Sequence, residues 1–155
     1  MTQLSSPGLV RQFILGGNAT FSLQNADGSH VTYKVKSNKK NKDKFWTTNN
    51  QDKSLYFVSV LTGPNNDSDF QYLGLLKLFP IDGFYHFEGT KGSRIGRDAP
   101  SYKLFKQLWI GIEQQCRIPS VIQFYHEGQC CICGRKLTVP ESIAKGIGPE
   151  CEGRE

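Results

Sequence analysis

Apolar residues recur with different periods along this chain, and each period predicts a different element. Residues 1–8 are polar and contain Pro7-Gly8, so they read as a loose leader into an apolar segment at 9–15. Within that segment Val10, Phe13 and Ile14 share one helical face, which predicts a short helix stopped by Gly16-Gly17. From 19 to 36 the period drops to two. Phe21 and Leu23, then Val31, Tyr33 and Val35, alternate with polar residues on either side of Asp27-Gly28, the pattern of a β-hairpin. Residues 54–61 are apolar on both faces and predict a central strand, closed by a Gly63-Pro64 turn; 70–79 and 84–88 add two more strands about Ile81-Asp82-Gly83.

The helical period returns after Asp98-Ala99-Pro100-Ser101, which reads as a capping signature. Tyr102, Phe105, Leu108, Trp109, Ile112 and Cys116 then form one stripe, Cys116 included, expected to pack on the sheet. Residues 121–126 alternate as a sixth strand ending on His126. The predicted fold class is α+β: an antiparallel β-meander of five to six strands, curled or partly closed, packed by one amphipathic helix and carrying a C-terminal zinc-knuckle module. The expected organisation is a sheet-plus-helix domain at 1–120 and a metal-binding module at 121–155, continuous with it and without a flexible linker.

The module is inferred from the cysteines. Four of the five lie in the last 26 residues, and His126 stands four positions before the first of them. Cys130-x-x-Cys133-Gly134 has the spacing at which two thiolates close on one ion while glycine takes the left-handed turn. Cys151 supplies a third ligand after a Gly-Ile-Gly-Pro bend, and His126 the fourth. Three thiolates and a neutral imidazole make a closed, structural Zn²⁺ site of charge about −1, with Arg135, Lys136 and Lys145 near in sequence to offset it. Cys131 is the rival to Cys130, although one intervening residue makes joint chelation with Cys133 more strained. The remaining alternative is a set of reduced thiols or a disulfide in a loop-rich tail.

The tail Cys-x-x-Cys-Gly-Arg-Lys-Leu-Thr-x-Pro-Glu-Ser-Ile-x-x-Gly-Ile-Gly-Pro-Glu-Cys resembles the signature of an uncharacterised zinc-binding domain family of bacteriophage and mobile-element proteins, sometimes fused to DNA-processing enzymes. The resemblance implies His126, Cys130, Cys133 and Cys151 as ligands of one zinc. Segments 57–66 and 93–101 are similar to parts of longer phage proteins of this type, which extends the likeness over most of the chain. The family brings no activity with it.

Composition adds a partner class. Nineteen basic against fourteen acidic residues give a formal charge of +5, which permits an anionic partner without requiring one. Six lysines crowd residues 34–44, and of these Lys39, Lys40, Lys42 and Lys44 form a polar loop directly before Phe45-Trp46. The loop reads either as a solvated hairpin tip or as a phosphate-contacting segment with Trp46 stacked on a base. The glycine-rich stretch 89–97 carries Arg94 and Arg97 into a helix N-terminus, so it is either an anion site or a surface turn. No Ser-His-Asp or Cys-His arrangement appears outside the zinc set, which argues against an enzyme. No apolar run spans a membrane and no signal pattern opens the chain, which predicts a cytoplasmic protein, in the host cell if phage-encoded. The expected function is non-enzymatic, low-specificity binding of single-stranded or duplex nucleic acid. The alternative is a protein-binding phage early protein that inhibits or redirects a host enzyme or defence system.

Overall fold

The computed structural model describes residues 2–37, 55–63, 69–79, 81–89, 95–132, 134, 136–137 and 140–147. Among these, seven strands form one antiparallel sheet: β1 (Thr2–Leu4), β2 (Asn18–Gln24), β3 (His30–Ser37), β4 (Leu55–Leu61), β5 (Phe70–Leu78), β6 (Tyr85–Glu88) and β7 (Gln123–His126), in the order β1-β7-β2-β3-β4-β5-β6. Three helices accompany it, α1 (Pro7–Ile14), α2 (Pro100–Gln115) and α3 (Pro140–Lys145). Strands β2 to β6 are the meander that the alternation predicts, each paired with the next. The order is linear, with β1 and β6 at the edges, so the described sheet is open and not closed.

The polar leader expected at 1–8 is instead structured. Thr2, Gln3 and Leu4 pair with His126, Tyr125 and Phe124 of β7, and α1 starts at Pro7 with Ser6 Oγ accepting the Leu9 N–H at 3.4 Å. Only Leu4 of the strand is buried, so a three-residue edge strand left no alternating signal to read.

One face of the sheet carries the core. Phe21, Leu23, Tyr33, Val35, Val58, Val60, Leu76, Phe87 and Phe124 point to the helices, where Val10, Phe13 and Ile14 of α1 and Tyr102, Phe105, Leu108, Trp109 and Ile112 of α2 meet them. The Phe105 ring lies 6.2 Å from Phe21, 5.4 Å from Tyr33 and 4.8 Å from Phe87, so a single α2 side chain spans several strands. Aromatic pairs of this kind add about 0.5–1.5 kcal/mol each beyond area burial.

Helix α2 also closes the β6 edge. The Tyr85 N–H donates to Glu113 Oε2 at 2.7 Å, the Tyr85 carbonyl accepts from Trp109 Nε1 at 2.7 Å, and the Gly89 N–H donates to Tyr102 Oη at 3.1 Å. Groups that would leave a bare strand edge are thereby satisfied. Glu113 is buried and takes a second partner from α1, with Arg11 Nε at 2.6 Å and Nη2 at 3.4 Å.

Two expectations about α2 fail at its ends. Its cap residue is Ala99, which makes no side-chain cap bond, so the start rests on Pro100 at the first helical position and not on Asp98. Cys116 is exposed, in a left-handed conformation at φ 53°, and the next residue, Arg117, donates its N–H to Gly111 O at 3.0 Å. Cys116 lies one residue past the helix, where the stripe's period no longer applies.

Glu113→Ala should cost about 2 kcal/mol in urea unfolding, because it strands the Tyr85 N–H and the partly exposed Arg11 guanidinium; that exposure holds the figure below the 3–5 kcal/mol of a fully buried pair. Glu113→Gln, which keeps an acceptor, should cost less. Equal stability of Glu113→Ala and the parent chain would remove the edge-closing role.

Candidate metal centre and basic groove

The tail leaves the sheet at His126 and folds into a tight hairpin. Leu137 N–H donates to Gly128 O at 2.7 Å, and Gln129 bridges Lys136 antiparallel. Inside it the Ile132 N–H points at Cys130 Sγ at 3.4 Å, and the Gly134 N–H donates to Cys130 O at 2.9 Å. Gly134 sits at φ +77°, where an L side chain is strained, and an added Cβ would stand 2.7 Å from Asn18 Nδ2. A backbone N–H aimed at sulfur stabilises a thiolate, so this turn has the chemistry of one half of a Cys-x-x-Cys-Gly metal site.

Cys131 is set differently. Its N–H donates to Gly146 O at 2.9 Å, its carbonyl accepts from Asn18 N at 2.7 Å, and its sulfur lies 4.0 Å from Gln12 O under the end of α1. An added Cβ on Gly16 would stand 2.6 Å from that sulfur, so α1 and the hairpin are in close contact here. The side chain faces the body of the domain.

His126 is fully buried on the core face of β7, stacked on Phe13 with ring centroids 5.4 Å apart. Its Nε2 lies 2.6 Å from Ile143 O, and its Nδ1 accepts the Gly128 N–H at 3.0 Å. A carbonyl only accepts, so Nε2 carries the proton and the ring is neutral, in keeping with a pKa held below the usual histidine range by burial. A ring fixed by N–H donation to a carbonyl is the usual support of a metal-binding histidine, and it leaves Nδ1 as the coordinating atom. A metal there would replace the Gly128 hydrogen bond.

The bend after α3 returns the chain to the hairpin. Gly146 at φ +77° turns the backbone, and Ile147 is buried in the main core. Cys133, Cys151 and Arg135 lie outside the described residues, and among the described residues no group of three metal-ligating side chains occurs. Among the described residues the donors on hand are the Cys130 thiol and the oriented His126 imidazole.

Of the expected anion-binding residues, Lys39, Lys40, Lys42, Lys44, Trp46 and Arg94 lie outside the described residues, while Arg97 is exposed with Nη2 3.5 Å from Gly89 O. Arg97 stands at one end of a groove of about 610 Å³ on the outer side of α2, with Lys103, Lys106 and Arg117 along it and no carboxylate in its lining. The sequence showed Lys103 and Lys106 only as polar positions between stripe residues, and their junction with Arg97 and Arg117 depends on tertiary structure. His30 stands at the start of β3, 6.2 Å from the Tyr125 ring, while His86 Nε2 meets Asp82 Oδ2 at 2.7 Å across the β5–β6 turn.

Residues 123–155 match a family described as a family of unknown function (DUF6011). The match opens on the first residue of β7 and takes in the hairpin and α3. No curated protein and no solved structure matches the chain.

Gly146→Ala should destabilise the protein by about 1–3 kcal/mol, since it adds backbone strain to a Cβ 2.4 Å from Phe13 Cδ2. Gly128→Ala, at φ +83° with nothing within 4 Å, carries the strain alone and should cost less. Thermal melts giving the same midpoint for both variants would show that the Phe13 contact contributes nothing.

Proposed function

We propose that this chain is a non-enzymatic nucleic-acid-binding module of low sequence specificity whose tail is stapled by one structural zinc. The groove on α2 is the observation that carries the binding reading: two lysines on the helix and an arginine beyond each end, with no carboxylate in the lining, form an electrostatic footprint for a phosphate backbone. Lys103 and Lys106 are point charges on flexible stems, which favours positioning contacts over sequence discrimination. Lys39, Lys40, Lys42, Lys44, Trp46 and Arg94, which lie outside the described residues, belong to the same proposal on their sequence pattern alone.

The zinc reading is supported by the Cys130 turn and by the tautomer of His126. Cys130, Cys133, Cys151 and His126 Nδ1 would hold the ion, and four protein ligands leave no position for catalysis. The expected result is one zinc per chain by elemental analysis, retained in Cys131→Ser and lost in Cys130→Ser. The reverse pattern would move the ligand by one residue, and no metal in either the parent chain or the variants would end the zinc reading.

For the binding reading, Lys103→Gln with Lys106→Gln should weaken nucleic-acid binding similarly across sequences. Each lost phosphate contact should flatten the log-affinity against log-salt slope by about 0.7 for single strands or 0.9 for duplex. Folded parent protein that binds no nucleic acid at low salt would leave the second reading in front. That reading is a protein-binding factor of phage origin, favoured by the β5–β6 hairpin tip, where Phe79 and Phe84 are exposed and Ile81 is 97% exposed.

A further inference from the structure

The helices cover one face of the sheet, and the residues alternating with the core form the other. Strand register places them in rows. Thr20, Lys34, Ser59 and Tyr72 lie side by side across β2 to β5, and Asn18, Lys36, Phe57, Leu75 and Glu88 form the adjacent row across β2 to β6. Phe57 is 39% exposed, an unusual position for a large ring in the middle of a sheet. The Phe57 and Tyr72 rings are neighbours, with centroids 6.2 Å apart, and Lys34 Nζ stands 4.5 Å over the Phe70 ring. Only Glu88, at the β6 end, brings negative charge to these two rows.

From this juxtaposition we infer that the open sheet face is a stacking platform for unpaired bases, which makes single-stranded nucleic acid the ligand of this face. The inference rests on the nucleic-acid reading and names the form bound. The Phe57 and Tyr72 rings flank Ser59, which is too short to cover them, and offer flat apolar surface, while Lys34 and Lys36 on β3, the strand next to that of Phe57 and about 4.8 Å from it, offer the counter-charge. A nucleotide satisfies both at once: its base lies on Phe57 or Tyr72 while its phosphate meets Lys34 or Lys36. A duplex presents the same phosphates, but its bases are already stacked on one another, so the rings gain nothing from it. An apolar partner would leave Lys34 and Lys36 to be desolvated without pairing, which the charge of the face opposes. Stacking tolerates every base, so this face fits the low specificity expected of the α2 groove while adding a preference for unpaired strands.

The test is fluorescence anisotropy of the full chain with labelled oligo(dT), oligo(U) and a duplex of equal length. Phe57→Ala and Tyr72→Ala should each weaken binding to both single strands by roughly 5- to 150-fold, the equivalent of one stacked base, and leave duplex affinity unchanged. Phe57→Trp should keep affinity, and its added emission should be quenched by single strands only. Phe57 is part-exposed, so its truncation should lower the thermal midpoint only slightly and leave the chain folded at the assay temperature; if Tyr72→Ala fails to fold, the two Phe57 variants decide alone. Photocrosslinks from a 5-bromouracil oligonucleotide should map to β4 and β5. Parent-like single-strand affinity of Phe57→Ala, equal losses on single strand and duplex, or crosslinks confined to α2 would each overturn the inference. If the α2 variants weaken binding while Phe57→Ala does not, the nucleic-acid reading stands without this face. If the parent chain binds neither form at low salt, both fall.

Discussion

The contacts of the Phe13 ring tie the two ends of this chain to its middle. The ring is stacked on His126, edge-on to Phe21 at 6.4 Å and to Phe124 at 5.7 Å, and Gly146 presses against it so closely that no other residue fits. One side chain therefore joins α1, the sheet and the turn after α3. Truncating a buried phenylalanine typically costs about 3–5 kcal/mol, a large part of the 5–15 kcal/mol by which a domain is stable. Here the loss would fall on three elements together, because the ring touches His126, Phe21 and Phe124 of the sheet and the Gly146 turn after α3.

The position of β7 makes that dependence unavoidable. Inserted between β1 and β2, it pairs His126 with both Thr2 and Phe21, contacts that close more than a hundred residues of chain. Pairings so distant in sequence form only after the entropy of closing the loop has been spent, so the β2–β6 meander, built from neighbouring strands, is the part able to order first. The tail hairpin is then docked through the Cys131 peptide, which bonds Asn18 on one side and Gly146 on the other. A turn held at both its backbone ends has a fixed orientation on the sheet.

Much of this was legible from local pattern. Strands β2 to β6 and α2 lie within a residue or two of where alternation and helical spacing put them, because each buries a regular stripe against one body. The left-handed turn at Gly134 was legible from the residues before it, because its backbone demand is local. Leu4, Glu113 and Cys116 were not. Leu4 is the lone buried residue of β1, Glu113 is buried only because Arg11 and Tyr85 come to it from distant segments, and Cys116 is exposed because the helix ends just before it. The groove was missed although its cations all lie within residues 97–117, because Lys103 and Lys106 showed only as polar positions between the stripe residues.

Charge, finally, is placed more unevenly than a net +5 suggests. Glu113 is turned inward and held by Arg11, and Asp82 is engaged by the Phe84 N–H and by His86 in its own hairpin turn. The groove on the outer side of α2 has no carboxylate in its lining, and the two central rows of the open sheet face carry only Glu88 against Lys34 and Lys36. Local fields of this kind, and not the total charge, set what approaches a surface and how salt screens it. Both surfaces are also built on a helix and on paired strands, so their side chains stand at separations that the backbone has already fixed. A ligand that met them would spend little ordering the protein, and low sequence specificity would then reflect the chemistry of the contacts and not looseness of the scaffold.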